Sequence, residues 1–276
     1  MGVEQTALRK VLAGIPSPVT AFSGGVDSAL VAWLAAEARG DRALAVTADS
    51  PSLARAELTA ACDFAASYGL RHRVVRTDEL DDERYVRNHG DRCARCKTAL
   101  MAALDAVTGA AGEGQVLLGV NLDDLADHRP GQTVAKARGA RFPLVEAGLG
   151  KADVRRLSRE LGLPTWDKPA AACLASRLAY GVPVTRAALG RVEAAEAWLR
   201  RLGLAGRVRV RDQGGDLARI EVEPDALGVV LDRRAEVVAG CKRAGFLYVT
   251  LDLEGYRQGS HNARLTALPE PTVRPR

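Results

Sequence analysis

Four stretches of the chain hold residue types that do chemistry rather than packing. The first runs from Ala21 to Leu34, AFSGGVDSALVAWL. An apolar run, Val19 to Phe22, leads into Ser23, Gly24, Gly25, Val26, Asp27 and Ser28, and a buried-helix pattern follows. Glycines let a backbone approach a ligand with no Cβ in the way. Ser28 falls at or near the helix start, where free N–H groups and the helix dipole favour an anion. The pattern is a strand–loop–helix phosphate cradle. It lacks the Gly-Lys-Ser/Thr ending of the Walker loop and the Gly-x-Gly-x-x-Gly spacing of the dinucleotide fold. A plain glycine turn explains the glycines but not the two serines and the aspartate.

The second stretch, Asn121 to Gly131, follows the apolar run Val116–Val120. It holds Asp123, Asp124, Asp127 and Arg129. Capping of the next helix explains one acid, not three. Oxygen-rich clusters beside a triphosphate suit Mg²⁺, which keeps its waters and takes only one or two carboxylates. Asp123 and Asp124 are candidate nucleotide contacts, with Gly119 grouped beside them. Asp27 and Asp127 are candidate magnesium ligands, and Arg129 a candidate phosphate partner.

The other two stretches carry cysteines. The chain has five, Cys62, Cys93, Cys96, Cys173 and Cys241, an odd count that argues against a disulfide framework. Cys62 and Cys241 lie in apolar helical patterns and read as packing. Cys173 lies in KPAAACLASR, among small residues and near Lys168 and Arg177. Nearby cations raise the thiolate fraction. A nucleophile and a buried cysteine acting as a small hydrophobe are both open readings. Cys93 and Cys96 form a Cys-x-x-Cys, which reads as a redox pair, half a zinc site or incidental thiols at a helix start.

These residues need elements to position them. The first 150 or so residues alternate strand and helix signals. Strands are predicted at 19–22, 43–47, 72–76 and 116–120, with an edge strand at 142–145. Helices are predicted at 53–68, 96–107, 133–138 and 151–161. Such alternation means an α/β fold with a mainly parallel sheet and ligands beyond the strand C-termini. Pro169 to Val184 reads as an ordered functional loop. A smaller α+β unit follows: helices at 187–202 and 225–244, and strands at 208–211, 218–222 and 246–253. The expected division is 1–180, 181–264 and a disordered tail from 265 to 276.

The bulk properties set limits. Net charge is +5, too mild and without the dense basic blocks and aromatics of a nucleic-acid binder. No apolar run reaches the ~20 residues of a membrane span. The opening MGVEQTALRKVL reads as a helix rather than a signal peptide, so a cytoplasmic protein is expected. In the last unit Arg207, Arg209 and Arg211 alternate along one strand and share a face, as do Glu221 and Glu223. They suit a substrate phosphate or a solvated ion-pair face.

SGGVDS after a strand resembles the PP-loop of the ATP pyrophosphatase superfamily, whose members split ATP into AMP and pyrophosphate. The resemblance implies that Ser23, Gly24, Gly25, Asp27 and Ser28 hold the pyrophosphate. GVNLDDLADHRPG, KPAAACLASR and DLEGYRQGSHN together resemble the LarE family of ATP-dependent sulfur transferases. With the PP-loop, these motifs run from Ser23 to Asn262. The resemblance implies a PP-loop sheet with helices on both faces, and a role in biosynthesis of the nickel-pincer nucleotide. It implies adenylation of the carboxylates of pyridinium-3,5-biscarboxylic acid mononucleotide and their conversion to thiocarboxylates. Cys173 would then be a sacrificial sulfur donor. Three cysteines resemble a subgroup in which Cys93, Cys96 and Cys173 hold a [4Fe-4S] cluster carrying an extra sulfide. Lys97, Arg177, Arg209, Arg211, Glu221 and Arg257 are the expected substrate-binding residues. A homo-oligomer, a hexamer by resemblance, is expected. A PP-loop tRNA thiolase with an iron–sulfur cluster is the first alternative, and the absence of a basic RNA-binding extension argues against it. An ATP- or AMP-binding regulatory module is the second, and the acids and Cys173 argue against that.

Overall fold

The computed structural model describes residues 2–111, 114–125, 130–204 and 206–257. The chain divides into two compact units, Met1–Asp82 with Cys93–Ala172, and Glu83–Arg92 with Cys173–Arg276. The division follows Ala172 rather than residue 180, and residues 83–92 fold with the second unit.

The first unit is built on four parallel strands, β1 (Pro18–Ala21), β2 (Leu44–Asp49), β3 (His72–Arg76) and β4 (Gln115–Leu118). Their order is β3-β2-β1-β4. Parallel neighbours need crossovers, supplied by the helices Val26–Arg39, Arg55–Ser67 and Arg92–Ala111. The strand order reverses at β1, so the crevice beyond the C-terminal ends of β1 and β4 is the topological switch point.

Successive strand residues point to opposite faces, and both faces are covered. Ala45 and Leu117 join one core with Leu8, Leu12, Leu30, Leu34, Phe64, Leu144, Val154 and Leu157. Val19, Val46, Val116 and Leu118 join the other with Met101, Leu104, Val107 and Ala135. Burial on both faces is why β1, β2 and β4 read as mainly apolar runs, whereas the edge strand β3, HRVVR, stays partly exposed.

One expected strand is absent from the sheet. Pro143–Glu146 is a single helical turn with Pro143 at its start. Proline has no N–H for a ladder but fits the first helical position. Arg141 alone bridges Leu117. The helix expected from residue 96 starts earlier, at Arg92, so Cys93 lies in its first turn and Cys96 just past it.

The second unit carries β5 (Arg209–Asp212), β6 (Leu217–Glu221) and β7 (Tyr248–Leu251) in the order β5-β6-β7. β5 and β6 are antiparallel and β6 and β7 parallel. Thr185 caps the helix Arg186–Arg201 by accepting from the Ala188 N–H at 3.0 Å. That helix meets Arg234–Arg243 where Trp198 lies on Gly240, at which a Cβ would stand 1.9 Å from an indole carbon. The helix expected over 225–244 is two, Leu227–Asp232 and Arg234–Arg243, because Arg233 leaves helical geometry at φ −98°, ψ 19°. Among the described residues no helix is long and apolar enough to cross a membrane.

Candidate functional site

The loop after β1 is braced by its own side chains. The buried Ser28 hydroxyl accepts from the Ser23 N–H at 3.1 Å, donates to the Gly25 carbonyl at 3.2 Å and lies 3.0 Å from the Ser23 hydroxyl. Gly24 has φ +68°, and a Cβ there would stand 3.0 Å from the Ala61 Cβ. Conformation and space both require glycine. Gly25 is the N-cap of Val26–Arg39. A Cβ on Gly119 would lie 2.8 Å from the Ser28 nitrogen. Gly119 thus lets the end of β4 press against the first turn of that helix, which shapes the cradle from behind.

Asp27 is partly exposed, and both of its oxygens are engaged. Oδ1 accepts from Asn121 Nδ2 at 2.9 Å, and Oδ2 pairs with the Lys151 ammonium. Lys151 opens the helix Lys151–Glu160, and its backbone N–H donates to Asp123 Oδ2. Asp124 forms a reciprocal cap with Asn121 through two bonds of 3.2 Å. Asp123 and Asp124 therefore serve helix ends here, where one capping acid was expected. Asp127 and Arg129 lie outside the described residues. Lys168, read from sequence as a cation near Cys173, donates to the Gly24 carbonyl at 3.0 Å and pairs with Glu57 at 2.8 Å. Arg155 holds that segment through the carbonyls of Trp166 and Lys168.

Cys93 is exposed and Cys96 half-buried. The Cys96 thiol lies 3.6 Å from Glu79 Oε1. Glu79 is buried and also accepts from the hydroxyls of Ser50 at 2.9 Å and Thr77 at 3.3 Å. Gly131 lets a second helix approach the stem of Lys97 closely, since a Cβ on Gly131 would stand a tight 3.2 Å from the Lys97 Cβ. Among the described residues no group of three or more His, Cys, Asp or Glu side chains is arranged to hold a metal ion. Cys62 is half-buried. Cys241 is fully buried, and burial pushes its thiol pKa up to about 11.

In the second unit Cys173 is exposed, directly ahead of the 3₁₀ turn Leu174–Arg177. Its carbonyl accepts from the Ser176 N–H at 3.0 Å, the Ser176 hydroxyl at 2.7 Å and Arg177 at 3.1 Å. The backbone is fixed while the side chain faces solvent. Arg177 is buried and pairs with the buried Glu196 at 2.8 Å. Burial works to raise the Glu196 pKa, but Arg177, Arg209 and Arg200 together hold it below the ordinary carboxylate value. Arg211 donates twice to Glu221 Oε2, at 2.9 and 2.7 Å, and to the Ser176 carbonyl at 2.9 Å. Glu221 is fully buried and also pairs with Arg219. Arg209 lies over the Tyr256 ring, and burial, then the Arg177 charge, lower its pKa. A solvated ion-pair face is therefore not what Arg209, Arg211 and Glu221 form, since all are buried. Arg257 is exposed and pairs with Glu254 at 2.5 Å.

Sequence reading missed Asn121, Lys151, Glu79, Glu196, Asn88 and Arg92. Asn121 was legible as the residue just past a strand end. The others carry no local motif, because each has a partner remote in the chain: Asp27 for Lys151, Ser50 for Glu79, Arg177 for Glu196, Ala179 for Asn88 and Ala175 for Arg92.

Residues 7–97, which include the cradle, match the asparagine synthase family. The chain is 45% identical over 261 residues to an uncharacterized protein of Synechocystis sp., spanning 94% of this chain and 97% of that one. It is 36% identical over 267 residues to the pyridinium-3,5-bisthiocarboxylic acid mononucleotide synthase of Lactiplantibacillus plantarum, spanning 96% of each. An uncharacterized protein of Methanocaldococcus jannaschii is 29% identical over 239 residues. Identity at the level of the Lactiplantibacillus enzyme, over nearly the whole of both chains and on a PP-loop α/β sheet, places this chain in the LarE family.

Proposed function

We propose that the chain is an ATP-dependent sulfur transferase acting on pyridinium-3,5-biscarboxylic acid mononucleotide, in biosynthesis of the nickel-pincer nucleotide. The observation that carries this reading is the cradle at the β1–β4 switch point, where Ser23, Gly24, Gly25, Asp27 and Ser28 share one sheet end with Lys151. A carboxylate is a poor acyl donor because its oxygen leaves badly. One carboxylate oxygen attacks the α-phosphorus of ATP, forming acyl-AMP and releasing pyrophosphate. The loop N–H groups at the start of Val26–Arg39 face that pyrophosphate. A sulfur nucleophile then attacks the acyl carbon, and AMP leaves with the former carboxylate oxygen.

ATP binds with Mg²⁺ in this reading, with Asp27 as a ligand and Asp127 and Arg129 alongside. Lys151 turns from Asp27 to a phosphate oxygen, so each charge stays paired. Arg209, Arg211 and Arg257 take the substrate's phosphate, held in place by Arg177 and Glu221, and Lys97 contributes a cation. In the sacrificial route the Cys173 thiolate becomes a thioester. A base then removes its α-proton and the Cβ–S bond breaks, leaving thiocarboxylate on the substrate and dehydroalanine in the chain. Cysteine thiolates are the donors an iron–sulfur cluster takes, and Cys93, Cys96 and Cys173 supply three in sequence. Those three would hold a [4Fe-4S] cluster, which when bound supplies a labile sulfide. With all three cysteines in place, we take the cluster-held sulfide as this chain's route.

ATP–pyrophosphate exchange tests the adenylation half alone. Exchange should require the mononucleotide and vanish in Asp27→Ala with the fold intact. Exchange that ignores the carboxylate, or that persists at wild-type rate in the variant, overturns the reading.

A further inference from the structure

The strap Glu83–Arg92 carries none of the residues assigned above, yet it folds with residues 173–184. Asn88 is fully buried with φ at 57°, a left-handed backbone that side-chain-bearing residues rarely adopt. Its Nδ2 donates to the carbonyls of Ala179 and Val182, both at 2.8 Å, with Leu178 further off at 3.4 Å. Its Oδ1 accepts from Arg92 at 2.6 Å, and the same guanidinium nitrogen donates to the Ala175 carbonyl at 2.8 Å. The main chain adds two bonds, Gly181 N–H to the Asn88 carbonyl at 3.2 Å and Val184 N–H to the Val86 carbonyl at 2.8 Å. Arg92 also lies over the Tyr180 ring.

These bonds of Val86, Asn88 and Arg92 reach the segment that Cys173 opens, and Ala175 is two residues from Cys173. The run AAAC has no large side chains to fix it by packing. Arg177 and Ser176 hold the Cys173 carbonyl from within the turn. The strap holds the turn from the other end. A buried polar network of this kind stands only when its members are satisfied together, and left-handed strain of this kind clusters at functional sites.

We infer that Asn88 and Arg92 are positioning residues for Cys173. They fix the turn that carries the thiol, so sulfur transfer depends on them while adenylation does not. This rests on the role given to Cys173 under Proposed function.

Asn88→Gly tests it, because glycine keeps the left-handed backbone and removes only the amide. Arg92→Lys is the companion, keeping the charge and losing the planar fork. Three quantities are read on the full chain: pyrophosphate release, thiocarboxylate formed, and the rate of iodoacetamide alkylation at Cys173 by peptide mass spectrometry. Asn88→Gly should release pyrophosphate within about twofold of wild type but lose about tenfold in thiocarboxylate. Cys173 should alkylate about threefold faster or more as the turn loosens. Arg92→Lys should shift the same two readouts in the same directions by less, which keeps the test open if Asn88→Gly does not fold. Wild-type product yield with wild-type alkylation overturns the inference. Parallel loss of pyrophosphate release and product also overturns it, since the strap would then support the fold at large. If wild type releases no pyrophosphate, the functional reading fails, and the alkylation ratio alone decides the strap.

Discussion

Asp27 has two partners of different kinds, and the difference matters for chemistry. Asn121 orients one oxygen with a neutral bond, while Lys151 neutralises the other. A charge-assisted contact to phosphate contributes about 1.5–3 kcal/mol net. Lys151→Met should therefore weaken ATP binding by about tenfold or more in calorimetric titration. An unchanged affinity would make Lys151 only a brace for Asp27. The serines, glycines and aspartate of the cradle were legible because one turn holds them together in sequence. Lys151 was not legible, because it meets Asp27 across 124 residues. Asp123 and Asp124 were visible as acids, but their capping bonds depend on where helix ends fall in space.

At the scale of elements, β1, β2 and β4 were legible because burial on both faces leaves them mainly apolar, and the edge strand β3 by its β-branched pair Val74–Val75. Pro143 shows where that reading stops. An apolar run with a proline fits an edge strand or a helix start, and the local sequence does not choose. The arginine-bearing strand shows another limit. Alternation gave Arg209 and Arg211 a shared face, but whether that face meets water or protein is set by Glu221 and Glu196, from β6 and the helix Arg186–Arg201. This burial has a pH signature. Glu196 sits below its ordinary value of 4.5, so the folded state binds its proton less readily than the unfolded chain. Its contribution is fully present above that ordinary value and is lost as pH falls through the lower folded value. Glu196→Gln leaves Arg177 buried without its carboxylate, which costs about 3–5 kcal/mol. The variant should unfold at lower denaturant at pH 7, and its deficit should shrink as pH falls below the ordinary carboxylate range. A deficit independent of pH would mean that Glu196 acts by packing.

At the scale of the molecule, the α/β class and a smaller following unit were legible from alternation and its loss. The strap was not. Residues 83–92 hold no periodicity that assigns them to residues 173–184, and only the bonds of Asn88 and Arg92 reveal it. The proposed sulfur route belongs to this scale too, since in that proposal it turns on cysteines spread over 81 positions of the chain, from 93 to 173 counted inclusively. The central claim is that ATP cleavage is coupled to replacing a carboxylate oxygen with sulfur. The most direct measurement incubates the anaerobically prepared chain, loaded with iron and sulfide, with ATP, Mg²⁺ and pyridinium-3,5-biscarboxylic acid mononucleotide, and counts pyrophosphate, AMP and thiocarboxylate. Equal amounts of the three are predicted, exceeding one equivalent per chain with Cys173 unchanged in mass. Pyrophosphate and AMP released with no thiocarboxylate, or no pyrophosphate at all, would contradict the account.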